Sequence, residues 1–149
     1  MSGLGLDTLL DEREIHRSLV TIARAMDERD WSALRAVLLP EATADLGTGP
    51  LAGRDAIVGL IRSFLDACGP TQHLLGNMLI EVHGEEATSR TYVSDVHKGR
   101  GQKSSLTFST LGDYHDRWRR EQGAWRLSHR TKLNRATLGD ISIFAQDAG

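Results

Sequence analysis

The sequence is short of most features that mark a specialised chain. Its 149 residues include a single cysteine, Cys68. An intramolecular disulfide is therefore excluded, and no Cys/His spacing outlines a zinc site. The position of Cys68 predicts the buried end of a helix. No apolar run approaches the roughly 20 residues of a membrane-spanning helix. Eighteen basic and 20 acidic residues leave a formal charge of −2, so no strong field favours nucleic acid or an anionic membrane. Arg117, Arg119 and Arg120 do cluster, but Asp113, Asp116 and Glu121 interrupt them, as on a solvated strand end. The N-terminus lacks the basic and apolar regions of a signal peptide. There is no internal repeat, low-complexity stretch or linker. The expectation is one domain over 1–149, cytoplasmic, with neither nucleic acid nor membrane as partner.

What is present is periodicity, first helical and then of period two. Ile15, Leu19, Ile22 and Met26 form one apolar stripe and predict a first helix over 8–27, with Asp7 as its cap. Trp31, Leu34, Val37 and Leu38 outline a short second helix ended by Pro40. Ala42, Ala44 and Leu46 alternate as in a short strand. Ile57, Leu60, Ile61, Phe64 and Leu65 line a third helix over 54–68, stopped by Gly69-Pro70.

After Pro70 the pattern alternates. Segment 71–82 places His73, Leu75, Asn77, Leu79 and Glu81 on one side. Segment 87–98 places Ala87, Ser89, Thr91, Val93, Asp95 and His97 on one face. Strands over 104–119 and 124–136 follow, the latter with Arg130 beside His129, of which only one can point inward. Helices first and strands after predict an α+β domain, three N-terminal helices packed on a curved antiparallel sheet with a pocket between the layers.

Two polar groups stand where inward-facing residues are expected. Asp27 follows His16, Val20 and Ala23 by eleven, seven and four residues, beside the apolar stripe in the last turn of the first helix. A carboxylate there meets the negative end of the helix dipole and needs a cationic or donor partner. His73 opens the first long strand. A neutral imidazole accepts a proton, and a carboxylate beside it fixes its tautomer and stabilises its charged form.

These residues sit within a wider pattern. It runs Ile-His-Arg-Ser-Leu-Val at 15–20, Ala-Met-Asp-Glu-Arg-Asp-Trp at 25–31 and Gly-Arg-Asp-Ala-Ile at 53–57. It continues with His-Leu-Leu-Gly-Asn-Met-Leu-Ile-Glu-Val at 73–82, Tyr-Val-Ser-Asp-Val-His at 92–97 and Gly-Ala-Trp-Arg-Leu-Ser-His-Arg at 123–130. The pattern resembles the SnoaL-like group of the nuclear-transport-factor-2 (NTF2-like, cystatin-like) superfamily. That group includes scytalone dehydratase, hexachlorocyclohexane dehydrochlorinase and bile-acid 7α-dehydratase. The resemblance implies a cone-shaped fold and matches Asp27 and His73 to the catalytic aspartate and histidine of those enzymes. It matches His97, with Asp95 on the same face, to a second active-site histidine, and Arg130 to an arginine of the last strand. The tyrosines that dehydratases place near the dyad have no counterpart just before Asp27, where Ala25-Met26 stands; this chain has only Tyr92 and Tyr114.

The expected function is a cofactor-independent lyase or isomerase, without metal. His73 would act as general base, Asp27 would hold it, and His97 or Arg130 would hydrogen-bond the leaving group or enolate oxygen. Met26, Trp31, Leu34, Phe64 and Leu75 are expected to line an apolar pocket for a small hydrophobic cyclic or polyketide-like substrate, with Asp95 as a further substrate-binding residue. Two alternatives remain at this stage. One is a non-catalytic binding protein for a small hydrophobic ligand. The other is a structural subunit resembling the β-subunit of ring-hydroxylating dioxygenases. Self-association as a dimer or trimer is expected over the open sheet face, with the tail 137–149 as a lid or an intersubunit contact.

Overall fold

A computed structural model describes residues 5–145. The helices are α1 (Leu6–Glu28), α2 (Trp31–Val37) and α3 (Arg54–Leu65). The strands are β1 (Leu38–Asp45), β2 (Pro50–Ala52), β3 (Thr71–His83), β4 (Glu86–Lys98), β5 (Thr107–Glu121) and β6 (Ala124–Gly139). They form one curved sheet in the order β2-β1-β6-β5-β4-β3. β3 to β6 make an antiparallel meander, while β1 joins β6 in parallel. The sheet is therefore mixed. Among the described residues, no helix is long and apolar enough to cross a membrane.

The helices bury one stripe each against the concave face. Ile15, Leu19, Ile22 and Met26 of α1 meet Leu34, Ile57, Trp118, Trp125 and Leu127 in the main core. Full burial of such aliphatic side chains stabilises by about 1.5–3 kcal/mol apiece. Polar ties fix α1 over the sheet. Arg120 grips Asp11 through two N–H groups, and Trp125 donates its backbone N–H to Glu14 and its indole N–H to Asp11. Arg119 pairs with Glu41 and Glu121, so two of the three clustered arginines are held in ion pairs.

Several boundaries depart from the expected ones for identifiable reasons. Gly5 is the N-cap of α1, and Asp7 lies in its first turn. α2 ends at Val37, and Pro40 sits exposed within β1. There the β1–β6 register breaks between Leu38 and Thr43, which suits a residue with no N–H to donate. α3 stops at Leu65, leaving Cys68 buried just beyond it with its thiol directed at the Phe64 carbonyl. β3 alternates as expected only as far as Gly76. A bulge at Asn77, whose φ is 49°, then turns Met78, Ile80 and Val82 inward in place of Asn77, Leu79 and Glu81.

The convex face carries an apolar patch that no described residue covers. Leu74, Tyr92, Val96, Leu111, Leu133 and Leu138 share it and are each more than 40% exposed.

Candidate functional site

Asp27 stands in the last turn of α1, and the chain leaves that helix through Arg29, a non-glycine residue at φ 58°. Arg29 N–H bonds to the Met26 carbonyl and Asp30 N–H to the Ala25 carbonyl, a left-handed helix stop of the Schellman type. The left-handed conformation costs an ordinary residue about 1–2 kcal/mol. The Arg29 guanidinium offsets this. It donates to the Met26 carbonyl (2.7 Å), the Gly69 carbonyl (2.9 Å) and the Thr71 hydroxyl (2.8 Å). A cation at this end of α1 also opposes the negative pole of the helix. One side chain thereby ties the end of α1 to the start of β3.

That tie sets Asp27 against His73. Asp27 Oδ2 accepts the His73 backbone N–H at 3.0 Å, and Asp27 Oδ1 lies 2.7 Å from His73 Nδ1. Thr71 Oγ1 donates to Asp27 Oδ1 at 3.0 Å. Burial pushes the Asp27 carboxyl up, but the His73 side-chain and backbone hydrogen bonds, the imidazole charge and Thr71 outweigh it and hold it below its ordinary value. The ionised carboxylate can only accept, so Nδ1 carries a hydrogen, and in the neutral ring Nε2 keeps the lone pair.

His73 and His97 meet edge to face with ring centroids 5.4 Å apart. His97 Nδ1 lies 3.1 Å from the Phe108 carbonyl and 3.4 Å from Asp95 Oδ1. Both are acceptors, so neutral His97 also presents a bare Nε2. Burial lowers the His97 pKa, partly opposed by the Asp95 charge, and His73 lowers it further. The role expected for His97, donating to a leaving group, needs the imidazolium that burial disfavours.

Asp95 is fully buried beneath these rings. It accepts from Thr110 N–H, the Thr110 hydroxyl and Lys132 Nζ, the last at 2.7 Å. Burial raises its pKa, and the Lys132 charge and hydrogen bond outweigh that and lower it. It therefore supports the site from below instead of lining it. Among the described residues, His73, Asp95 and His97 could each offer one atom to a cation, all within 4.8 Å of one another. The Lys132 ammonium already neutralises that carboxylate.

A cavity of about 300 Å³ opens above the two imidazoles. Met26, Leu60, Ile61, Phe64, Phe108 and Phe144 make its apolar wall, and His73, His97, Tyr114, Arg130, Lys132 and Asn134 its polar one. The tail closes one side: Ile143 is buried, and the Phe144 ring packs on Phe64, His97 and Phe108 at centroid distances of 5.2–5.4 Å. Residues 146–149 of the expected lid lie outside the described residues. A larger open depression beside α3 is bordered by Gly59, Arg62, Ser63, Asp66 and Arg100, away from the Asp27–His73 pair.

The expected lining is only partly recovered. Met26 and Phe64 face the cavity. Leu34 does not; it is 1% exposed within the core. Trp31 and Leu75 likewise pack against that core instead of the cavity, because their faces of α2 and β3 turn toward the helix–sheet interface. Arg130 points inward, but its Nε and Nη2 both donate to Asp116 at 2.8 Å while its guanidinium lies 3.7 Å over the Tyr114 ring. His129 turns to the other side and meets Thr43 and Thr131.

Arg29, Thr71, Tyr114 and Lys132 were not singled out from sequence. Strand alternation carried a signal for Lys132, two residues beyond Arg130 and hence on the same face.

The SnoaL-like domain profile matches residues 7–131. An uncharacterized protein of Mycobacterium tuberculosis is 29% identical over 133 residues, covering 88% of this chain and 90% of that one. Two solved structures share the fold. One, from Novosphingobium aromaticivorans and named provisionally as a scytalone dehydratase, has a TM-score of 0.77 at 22% identity and covers 88% of each chain. The other, a hexachlorocyclohexane dehydrochlorinase (LinA type 2), has a TM-score of 0.81 at 18% identity and covers 90% of this chain and 91% of that one. At these identities the structures establish the NTF2-like fold alone; the profile match over most of the length establishes that the chain belongs to the SnoaL-like family.

Proposed function

We propose that the protein is a lyase or isomerase that removes a proton from an acidic C–H of a small cyclic, largely apolar substrate, with His73 as base. The observation that carries this reading is the two-point grip of Asp27 on His73. It leaves Nε2 as the basic atom of a ring that lines the cavity. The similarity to a dehydrochlorinase, an enzyme named for elimination, is consistent with it.

In this mechanism the C–H electron pair moves into the substrate and the proton moves to His73 Nε2. Asp27 balances the imidazolium that forms, which lowers the barrier for transfer. The electron pair then either expels a leaving group from the adjacent carbon, giving a lyase, or takes the proton back elsewhere, giving an isomerase. Positioned base catalysis of this kind is worth about 10²–10⁴-fold.

The test is hydrogen exchange on a simple probe. 2-Tetralone has an activated C–H on a bicyclic apolar frame. In D2O, proton NMR is expected to show its exchange accelerated by wild type and not by His73→Asn or Asp27→Asn. Binding of the ketone without faster exchange would leave a ligand-binding protein in place of an enzyme.

A further inference from the structure

Proton abstraction creates negative charge on the substrate, and neither the two imidazoles nor Arg130 is placed to receive it. Neutral His73 and His97 both present a bare nitrogen. The Arg130 charge is neutralised by a bidentate Asp116. Two other polar groups line the cavity from adjacent, directly registered positions, Tyr114 on β5 and Lys132 on β6.

Tyr114 is 4% exposed, yet its hydroxyl has no hydrogen-bond partner among the described residues. It is not one of the fully buried unpartnered atoms, so it opens onto the cavity, where its O–H is free to donate to a bound molecule. The ring is held in place by the Arg130 guanidinium stacked on its face. Lys132 reaches across β5 to Asp95 and to the Thr110 hydroxyl, at 2.7 and 2.9 Å. It crosses at Gly112, where a Cβ would come within 3.1 Å of the Lys132 Cε and 3.2 Å of Val93. The missing side chain at 112 is what gives the lysine its path. Two of the three ammonium hydrogens are committed, leaving one donor for the cavity.

We propose that Tyr114 Oη and Lys132 Nζ form an oxyanion subsite, which takes the carbonyl or phenolic oxygen of a planar cyclic substrate. Its part in turnover rests on His73 being the base; its binding of an anionic oxygen does not. It narrows the substrate class to cyclic ketones and phenols, whose enolate or phenolate oxygen is planar and localised. As a preorganised donor pair on the cavity wall it would act where charge develops.

4-Nitrophenol tests this directly, because its neutral and ionised forms absorb differently. Wild type is expected to bind the phenolate and to hold it ionised below the pH at which the free phenol loses its proton. Tyr114→Phe removes an oxygen that bonds to nothing in the fold, so its melting temperature should hold while phenolate affinity falls about tenfold or more. Lys132→Met should bind only the neutral phenol. That change strands Asp95, so Asp95→Asn/Lys132→Met is measured beside it and should behave alike. Asp27→Asn should keep the phenolate band even if it abolishes exchange of 2-tetralone, which separates this subsite from the base. Equal phenolate affinity in wild type, Tyr114→Phe and the lysine variants would overturn the proposal. So would binding of the neutral form by wild type, no binding at all, or a phenolate band lost only in Asp27→Asn.

Discussion

Asp27 holds His73 at two points, taking its backbone N–H on one carboxylate oxygen and facing its Nδ1 with the other. Thr71 adds a third donor to the same carboxylate. Asp27→Ala would leave all three donors without their acceptor. The expected cost is about 2 kcal/mol of stability, read as a lower denaturation midpoint. Asp27→Asn should be milder in stability, because it keeps one of the two acceptor oxygens.

Arg29 is expected to act through position. Arg29→Ala loses the ties to Met26, Gly69 and Thr71 while keeping the left-handed backbone. Arg29→Gly relieves that backbone, so it should melt higher than Arg29→Ala. Both should slow exchange on 2-tetralone, since neither restores the link between α1 and β3. Equal melting temperatures for the two variants would contradict the strain assigned to this residue.

Arg130 and Asp116 form a buried pair, 7% and 0% exposed in their side chains. Removing one partner strands a charge, at about 3–5 kcal/mol. Arg130→Met and Asp116→Asn should each cost this order in chemical denaturation. The double variant should recover much of it, because burying neither charge avoids the penalty. A double variant as unstable as the singles would contradict this.

Acidification should weaken the fold through His97. Burial lowers its folded pKa, so between the unfolded value of about 6.5 and the lowered folded value the unfolded chain binds the extra proton. Stability therefore falls as pH drops through that window. Asp27 works in the same direction at lower pH. Its depressed folded pKa contributes stability above the unfolded value of about 3.9, and that is lost as pH falls through the folded one. Melting curves of His97→Asn should flatten in the upper window and keep the lower one.

The convex face is expected to pair with another copy. Val96→Glu or Leu111→Glu, both on exposed apolar positions, should shift sedimentation from an oligomer to a monomer. A wild-type protein that sediments as a monomer would contradict this.

The sequence announced the parts of this site that depend on local pattern. Strict alternation along β4 placed Asp95 and His97 on the buried face, and the α1 stripe placed Asp27 in the last turn of that helix, while its pairing with His73 came from the family resemblance. It failed where geometry depends on a single backbone irregularity. The bulge at Asn77 reverses the inward phase of β3, and no period-two reading anticipates it. Leu34 of α2 and Leu75 of β3 are apolar residues with an inward face, but inward means the core at some positions and the cavity at others. Tyr114 and Lys132 become neighbours only through the β5–β6 register. Arg29 is exposed by helical pattern, and only its left-handed backbone brings it back to Thr71.

The most direct test of the account is the tautomer of His73, read from its ring-nitrogen chemical shifts. In neutral His73 of the wild type the hydrogen should reside on Nδ1, facing Asp27, with Nε2 bare. Asp27→Asn offers one oxygen to three donors, so the amide NH2 must face one of them and the hydrogen should redistribute toward Nε2. A wild-type ring with its hydrogen on Nε2, or a pattern unchanged in Asp27→Asn, would contradict a base held by Asp27.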